Sequence, residues 1–208
     1  MIRHIIWDFD GTLFNTYPAI VYSFVSVMES DFAVQCDSEE IGRLLMVDTK
    51  HCALVMSQRY GLDPDVILHN VREFYDTQTT IPEEPHDYAK DICELIRLRG
   101  SNALVTHRDK ESTVKMLTRF DMLGLFSQII TSEDGFAQKP APDSFLHVLQ
   151  SASLADDETL AVGDRDLDIQ AAMKAGVHSV FFSPDGKKHP NAEFSIRTLA
   201  EIKELQLD

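Results

Sequence analysis

Two aspartates stand one residue apart where an apolar run ends, in "IIWDFDGTLFN" at residues 5–15. If extended geometry persists through Asp8 and Asp10, their i, i+2 spacing sends both carboxylates to the same side. Adjacent carboxylates repel unless a cation or a shared proton lies between them, so the pair suits a cation site or acid/base work. An acidic turn capping the next element would have the same local spelling. Gly11 and Thr12 shift the balance toward chemistry. Glycine lets the backbone turn sharply and its amides approach an anion, and a threonine hydroxyl can anchor the turn.

A second acidic group follows in "AVGDRDLDIQAA", where Asp164 succeeds Gly163 and Asp168 lies one helical turn further on. Magnesium prefers octahedral oxygen coordination, and one or two carboxylates plus water and substrate phosphate suffice, so Asp8 with Asp164 would serve. Asp166 reads better as a carboxylate favouring a helix N-terminus. "LVTHRD" sets Thr106, His107 and Arg108 just before a helix, where a hydroxyl and free amides can hold phosphate oxygens. His107 and Arg108 equally suit a solvated or packing role. In "AQKPAPD" two prolines stiffen the loop behind Lys139, whose ammonium could balance the carboxylates.

These residues need elements to position them. Apolar runs at 2–8, 102–107, 127–132, 159–164 and 178–183 read as buried strands. Helical patterns start at 110, 141 and 166, the last with Gly176 where a C-cap falls. Alternating strands and helices predict an α/β fold: a parallel sheet flanked by helices, with every polar cluster at a strand's carboxyl end. The interval from Asp8 to Asn102 is too long for one crossover helix. It reads as helices at about 17–30, 38–48, 50–60, 63–79 and 85–98, broken at "QCDS", "GLDP" and "TTIPEEPHD". The expected division is therefore a core of 1–14 and 83–208 with a helical insertion at 15–82. The tail predicts a turn-rich loop, a short strand at 194–196 and a closing helix, with no chemistry.

Composition bounds the partners. With 44% hydrophobic and 25% charged residues, the 208-residue chain is an ordinary globular sequence. A net charge of -15 and the lack of a basic cluster argue against nucleic acid. A small phosphate ester is repelled only at long range, because screening over about 8 Å leaves local cations to decide binding. Cys36, Cys52 and Cys93 sit in helical-looking segments without CxxC spacing, which fits a reducing, cytoplasmic setting. "MIRHIIWDFD" runs straight into strand pattern and no stretch approaches 18 apolar residues, so neither a secretory leader nor a membrane partner is expected.

Taken in order, "DFDGTL" at 8–13, Thr106 in "LVTHRD", Lys139 in "QKPAPD" and "GDRDLD" at 163–168 resemble the haloacid dehalogenase-like superfamily. The likeness is to its phosphatase branch with a helical cap after the first motif, similar to phosphoglycolate phosphatase in architecture. It implies a Rossmann-like core and a magnesium-dependent phosphatase acting on a small phosphorylated metabolite, as a monomer or homodimer. Asp8 would be the nucleophile that forms an aspartyl-phosphate, and Asp10 the general acid/base. Magnesium would bind the Asp8 side chain, the Asp10 backbone carbonyl and Asp164, with Asp168 supporting that shell. Thr106 and Lys139 would bind phosphate, Lys139 also steadying Asp8, and His107 would lie among the substrate contacts.

The resemblance also discriminates. Dehalogenases proper lack Asp10 and the metal, so dehalogenation is disfavoured. Asn15 stands where many relatives carry aspartate, and His107 where asparagine is common. Phosphonate-hydrolysing relatives need a cap lysine, and the context of Lys50 does not match. Arg43 falls where similar proteins carry a specificity loop and is a candidate for an anionic leaving group. Hinges are expected near 14–16 and 80–86. The alternative activity is a sugar phosphomutase similar to β-phosphoglucomutase, built on the same core residues. A signalling receiver is disfavoured because its acceptor aspartate ends a middle strand, whereas Asp8 follows the first.

Overall fold

The computed structural model describes residues 2–205. The chain separates into two compact units, with breaks between Asn15 and Thr16 and between Glu84 and Pro85.

The first unit is built on six parallel strands: β1 (His4–Trp7), β2 (Ser101–Val105), β3 (Phe126–Ile130), β4 (Thr159–Gly163), β5 (His178–Phe182) and β6 (Phe194–Ile196). Their spatial order is β3-β2-β1-β4-β5-β6. The chain winds outward from β1 to β3, then returns to start β4 on β1's other side. Strand order thus reverses at β1, and a crevice opens beyond its carboxyl end. Register places Trp7 beside Leu104 on one side and Val162 on the other, so the residues after all three strands emerge together.

Because side chains alternate along a strand, the near-continuous apolar runs cover both faces. Ile5, Trp7, Leu104, Leu160 and Val162 join the core on one face with α5 (Ala89–Arg97), whose Ile92, Cys93 and Ile96 pack there, and with α6 (Lys110–Arg119), whose Met116 and Leu117 do likewise. Ile6, Ala103, Val105 and Ala161 face the other layer, packing with α7 (Asp143–Ala152) and α8 (Asp166–Ala175). The single tryptophan is satisfied inside this core: its indole N–H donates to Asn102 Oδ1 at 2.9 Å, and the Asn102 amide donates to the Cys93 and Leu125 carbonyls.

The second unit contains α1 (Tyr17–Phe32), α2 (Ser38–Leu45), α3 (Thr49–Tyr60) and α4 (Pro64–Thr77). Each of the last three starts at an aspartate: Asp37, Asp48 and Asp63 accept backbone N–H bonds from Glu39, His51 and Asp65. Its core is apolar, with Phe24, Met28, Ile41, Leu45, Met56 and Ile67 fully buried.

The elements match the sequence expectation with end shifts of a few residues, apart from α5, whose expected start at 85 moves to Ala89 behind the turn at Asp87 and Tyr88. Cys36 lies in the loop before α2 rather than in a helix, because Asp37 caps that helix just after it. The closing helix is a six-residue 3₁₀ segment, Leu199–Glu204. Among the described residues, no helix is long and apolar enough to cross a membrane.

Candidate active site

β1 stops at Trp7, and the chain turns at once. The Phe9 carbonyl accepts N–H bonds from Leu13 and Phe14, while the Gly11 N–H donates to the Phe14 carbonyl at 2.8 Å. Gly11 has φ +82°, a left-handed conformation that a side chain would strain. The Phe9 and Phe14 rings stack with centroids 4.6 Å apart beneath the turn. Asp8 therefore points from a rigid strand end, and Asp10 from the turn itself.

Asp8 is 3% exposed. One of its oxygens, Oδ1, is paired with the Lys139 ammonium, and the other, Oδ2, is buried with no partner among the described residues. Lys139, 4% exposed, also lies 2.6 Å from Asp168 Oδ1 and donates to the Val105 carbonyl at 3.0 Å. One buried cation thus ties the ends of β1 and β2 to α8. Burial pushes the Asp8 carboxyl up to about 6, against the pull of Lys139 and with the push of Asp168. For Lys139, burial disfavours the charge, but Asp168 and Asp8 together outweigh it and hold the ammonium above its ordinary value.

Asp164 follows β4, and its Oδ1 accepts the Thr12 hydroxyl at 3.0 Å. Thr12 therefore anchors the first acidic turn to the second. Asp168 is fixed by α8, where its Oδ2 accepts the Arg165 N–H at 3.1 Å. Gly163 makes this approach possible: a Cβ there would sit 2.3 Å from Asp168 Cβ, an impossible overlap. Asp8, Asp164 and Asp168 each bring a carboxylate oxygen within 4.8 Å of the others, all three buried. This all-oxygen set, with the orphaned Asp8 Oδ2, fits a hard divalent cation such as magnesium.

Thr106 follows β2 directly, buried, with its Oγ1 accepting the Arg108 N–H at 3.0 Å. Thr106, His107, Thr131 and Lys139 line a small hollow, together with Ser144, whose buried hydroxyl has no partner among the described residues. Arg43 belongs to the second unit, on α2, where it is exposed and lies 4.0 Å from Glu39.

The structure thus brings Asp8, Asp10, Thr106, His107, Lys139, Asp164 and Asp168 to one end of the sheet in one unit, with Arg43 in the other. Asp10 lies just past the end of β1, in the turn that carries Gly11. Its carboxylate pairs with Arg108, Nη1 to Oδ1 at 2.8 Å. Sequence reasoning left Arg108 without a role and did not foresee Thr12 reaching Asp164; only contact across 152 residues makes the latter visible. Asp166, read as a helix-terminal residue, is in the first turn of α8 and is paired with His189 at 3.0 Å.

A family model for the haloacid dehalogenase-like hydrolases matches residues 5–182, and the chain belongs to that family. It is 26% identical over 196 residues to a phosphoglycolate phosphatase of Thiobacillus denitrificans, covering 89% of this chain and 84% of that one. It is likewise 26% identical over 188 residues to the pyrophosphatase PpaX of Halalkalibacterium halodurans, covering 85% and 81%. A solved structure described as a predicted phosphoglycolate phosphatase, from Haemophilus somnus 129PT, superposes with a TM-score of 0.83 at 22% identity, over 98% of this chain and 97% of that one. The chain is a hydrolase whose relatives are named phosphatases.

Proposed function

We propose that the protein is a magnesium-dependent phosphatase of a small phosphate monoester, working through an aspartyl-phosphate on Asp8. The observation that carries this reading is the state of Asp8: a buried carboxylate at a strand end, one oxygen on Lys139 and the other unpartnered among the described residues. A carboxylate that is only structural would have both oxygens satisfied. Magnesium held by Asp8, the Asp10 carbonyl and Asp164, with Asp168 supporting, would neutralise charge on the phosphoryl oxygens.

This chain's own residues would do the rest. Lys139 and Thr106 hold phosphate oxygens, and Lys139 keeps the nucleophile in line. An Asp8 oxygen bonds to phosphorus as the bond to the leaving oxygen breaks, and protonated Asp10 gives that oxygen its proton. Asp10, now a carboxylate, takes a proton from water as the water oxygen attacks phosphorus. The bond to Asp8 breaks, phosphate leaves, and both aspartates return to their starting states. Splitting one displacement into two leaves positioning and charge neutralisation as the main tasks.

The helical unit is proposed to act as a cap, closing on hinges near 14–16 and 80–86 and offering Arg43 to an anionic leaving group. Phe14 and Pro85, on the two hinge segments, already pair in an isolated antiparallel bridge within the first unit. The relatives' names make phosphoglycolate and pyrophosphate the first substrates to try.

The test is phosphate release from a panel of monoesters and pyrophosphate, with and without magnesium. Asp8→Asn should lower it by on the order of 10⁴-fold, and Asp10→Asn by about 10²- to 10⁴-fold. Release by either variant equal to wild type would sink the reading. Interconversion of sugar phosphates without net release would favour the phosphomutase alternative instead.

A further inference from the structure

Arg108 is the residue near the site that the family motifs and the proposed chemistry leave without a task. Its side chain is only 10% exposed and is held at several points. Nη1 donates to Asp10 Oδ1 at 2.8 Å, Nε donates to Ser112 Oγ at 3.0 Å, and the guanidinium carbon lies 5.4 Å from the Phe9 ring centroid. Ser112 is itself fixed, its hydroxyl donating to Asp109 Oδ2 at 2.7 Å. The backbone is tied as well: the Arg108 N–H donates to Thr106 Oγ1 at 3.0 Å, and its carbonyl accepts the Ser132 N–H at 3.1 Å.

A solvated arginine would have none of this framing. Asp10 sits on a glycine turn rather than in a strand, so the strand cannot aim its carboxylate. A planar guanidinium, anchored by Ser112 and by the ring below, can. A charge-assisted N–H···O bond at 2.8 Å fixes one oxygen of the carboxylate and leaves the second for proton transfer. The same residue is bonded to the Thr106 hydroxyl, so it sets the phosphate-side loop and the acid/base group to one frame.

We propose that Arg108 is a positioning residue for Asp10: it holds the acid/base carboxylate in its working orientation and couples it to the Thr106 loop. The inference rests on the proposed role of Asp10 and deepens it. Misplacing a catalytic group by about 1 Å can cost on the order of 10²-fold in rate. The loss should fall on kcat and should be larger where the leaving oxygen most needs a proton.

The experiment compares Arg108→Ala and Arg108→Lys, each in wild-type and Asp10→Asn backgrounds. Substrates are glycerol phosphate, with a poor leaving group and no second anion, and p-nitrophenyl phosphate, with a good one. Arg108→Ala should lower kcat on glycerol phosphate by roughly 10- to 100-fold and on the aryl ester by less, with KM changed by less than about threefold. In the Asp10→Asn background the same change should cost less than about threefold, since the group it positions is gone. Arg108→Lys keeps the charge and should recover part of the loss; it carries the test if the alanine variant does not fold. A rise in KM with kcat intact would show that Arg108 binds substrate, and full additivity with Asp10→Asn would show that it acts elsewhere. Either overturns the proposal. If Asp10→Asn itself kept wild-type kcat, the role of Asp10 would fall first; if Asp10→Asn loses activity while Arg108→Ala keeps it, only the role of Arg108 falls.

Discussion

The sheet unit and the helical unit place their charges differently. In the sheet unit Asp8, Asp164, Asp168 and Lys139 are buried together at the carboxyl ends of the strands. In the helical unit the buried described residues are apolar apart from Thr16 and Ser23, none is charged, and ion pairs such as Arg59–Glu40 and Arg72–Asp76 stay on the surface. Burying three carboxylates around one ammonium is costly, because desolvation outweighs attraction unless geometry and hydrogen bonds compensate. A chain selected only for stability would not concentrate charge there. The helical unit shows that the same sequence can keep acids at helix caps and in solvent. Buried charge in the described residues is thus concentrated at the end of the sheet proposed to carry the chemistry.

The contrast can be broken most forcefully at Lys139. Lys139→Met removes the cation between Asp8 and Asp168 and strands buried carboxylates. Chemical denaturation should show a loss of about 3–5 kcal/mol, with activity gone. A variant as stable as wild type would mean that the carboxylates are solvated and that the contrast between the units is false.

Magnesium should act in the opposite direction. Binding only the folded state at 100 times its dissociation constant stabilises by about 2.7 kcal/mol, so thermal midpoints should rise with added magnesium. Asp8→Asn and Asp164→Asn should lose most of that rise, whereas Glu40→Gln in the helical unit should keep it. An equal rise in all three variants would place the cation elsewhere.

A smaller effect follows from His86, at the return into the sheet unit. Burial, against Asp87 and the Gly11 backbone, holds its pKa below 6.5, and its ring packs edge-on against Phe182. The unfolded chain then takes up a proton before the folded one does. This contribution to stability is full above the unfolded value and is lost as pH falls below about 6.5. Replacing His86 with Gln should flatten the drop in urea midpoint between about pH 7 and pH 5. Burial lowers His4 in the same direction, opposed by Glu158 and aided by Arg3, while Asp8, raised to about 6, adds stability as pH falls through that value. The slope that remains is the balance of the two, and the test is the difference between wild type and the Gln variant. An unchanged slope would remove His86 from this account.

The smallest change is expected at Arg59→Gln. Although Arg59 makes two bonds to Glu40, at 2.9 and 2.6 Å, the pair is solvent-exposed, and its midpoint shift should be within the noise of the measurement. A shift approaching that of Lys139→Met would erase the distinction between surface and buried pairs.

How much of this was legible in the sequence differs by feature. Strands such as "NALV" were legible because residues buried on both faces must be apolar, and α8 because Gly176 stops it, with φ +77° as its C-cap. Asp8, Lys139 and Asp164 were legible through motif and order. The Arg108 partner of Asp10 was not, since it comes from a segment 98 residues away. Arg108 was undecidable, because an arginine beside a helix start is ordinary until its partner is known.

By itself, the sequence determined where strands and helices run and which residues stand at strand ends, because periodicity, caps and turns act over a few residues. Only the tertiary structure decided what those residues do to one another. Lys139 meets Asp8 and Asp168, Thr12 meets Asp164 and Arg108 meets Asp10 because parallel strands put remote segments side by side. Desolvation, which sets the strength of those charges, exists only once the sheet is covered on both faces.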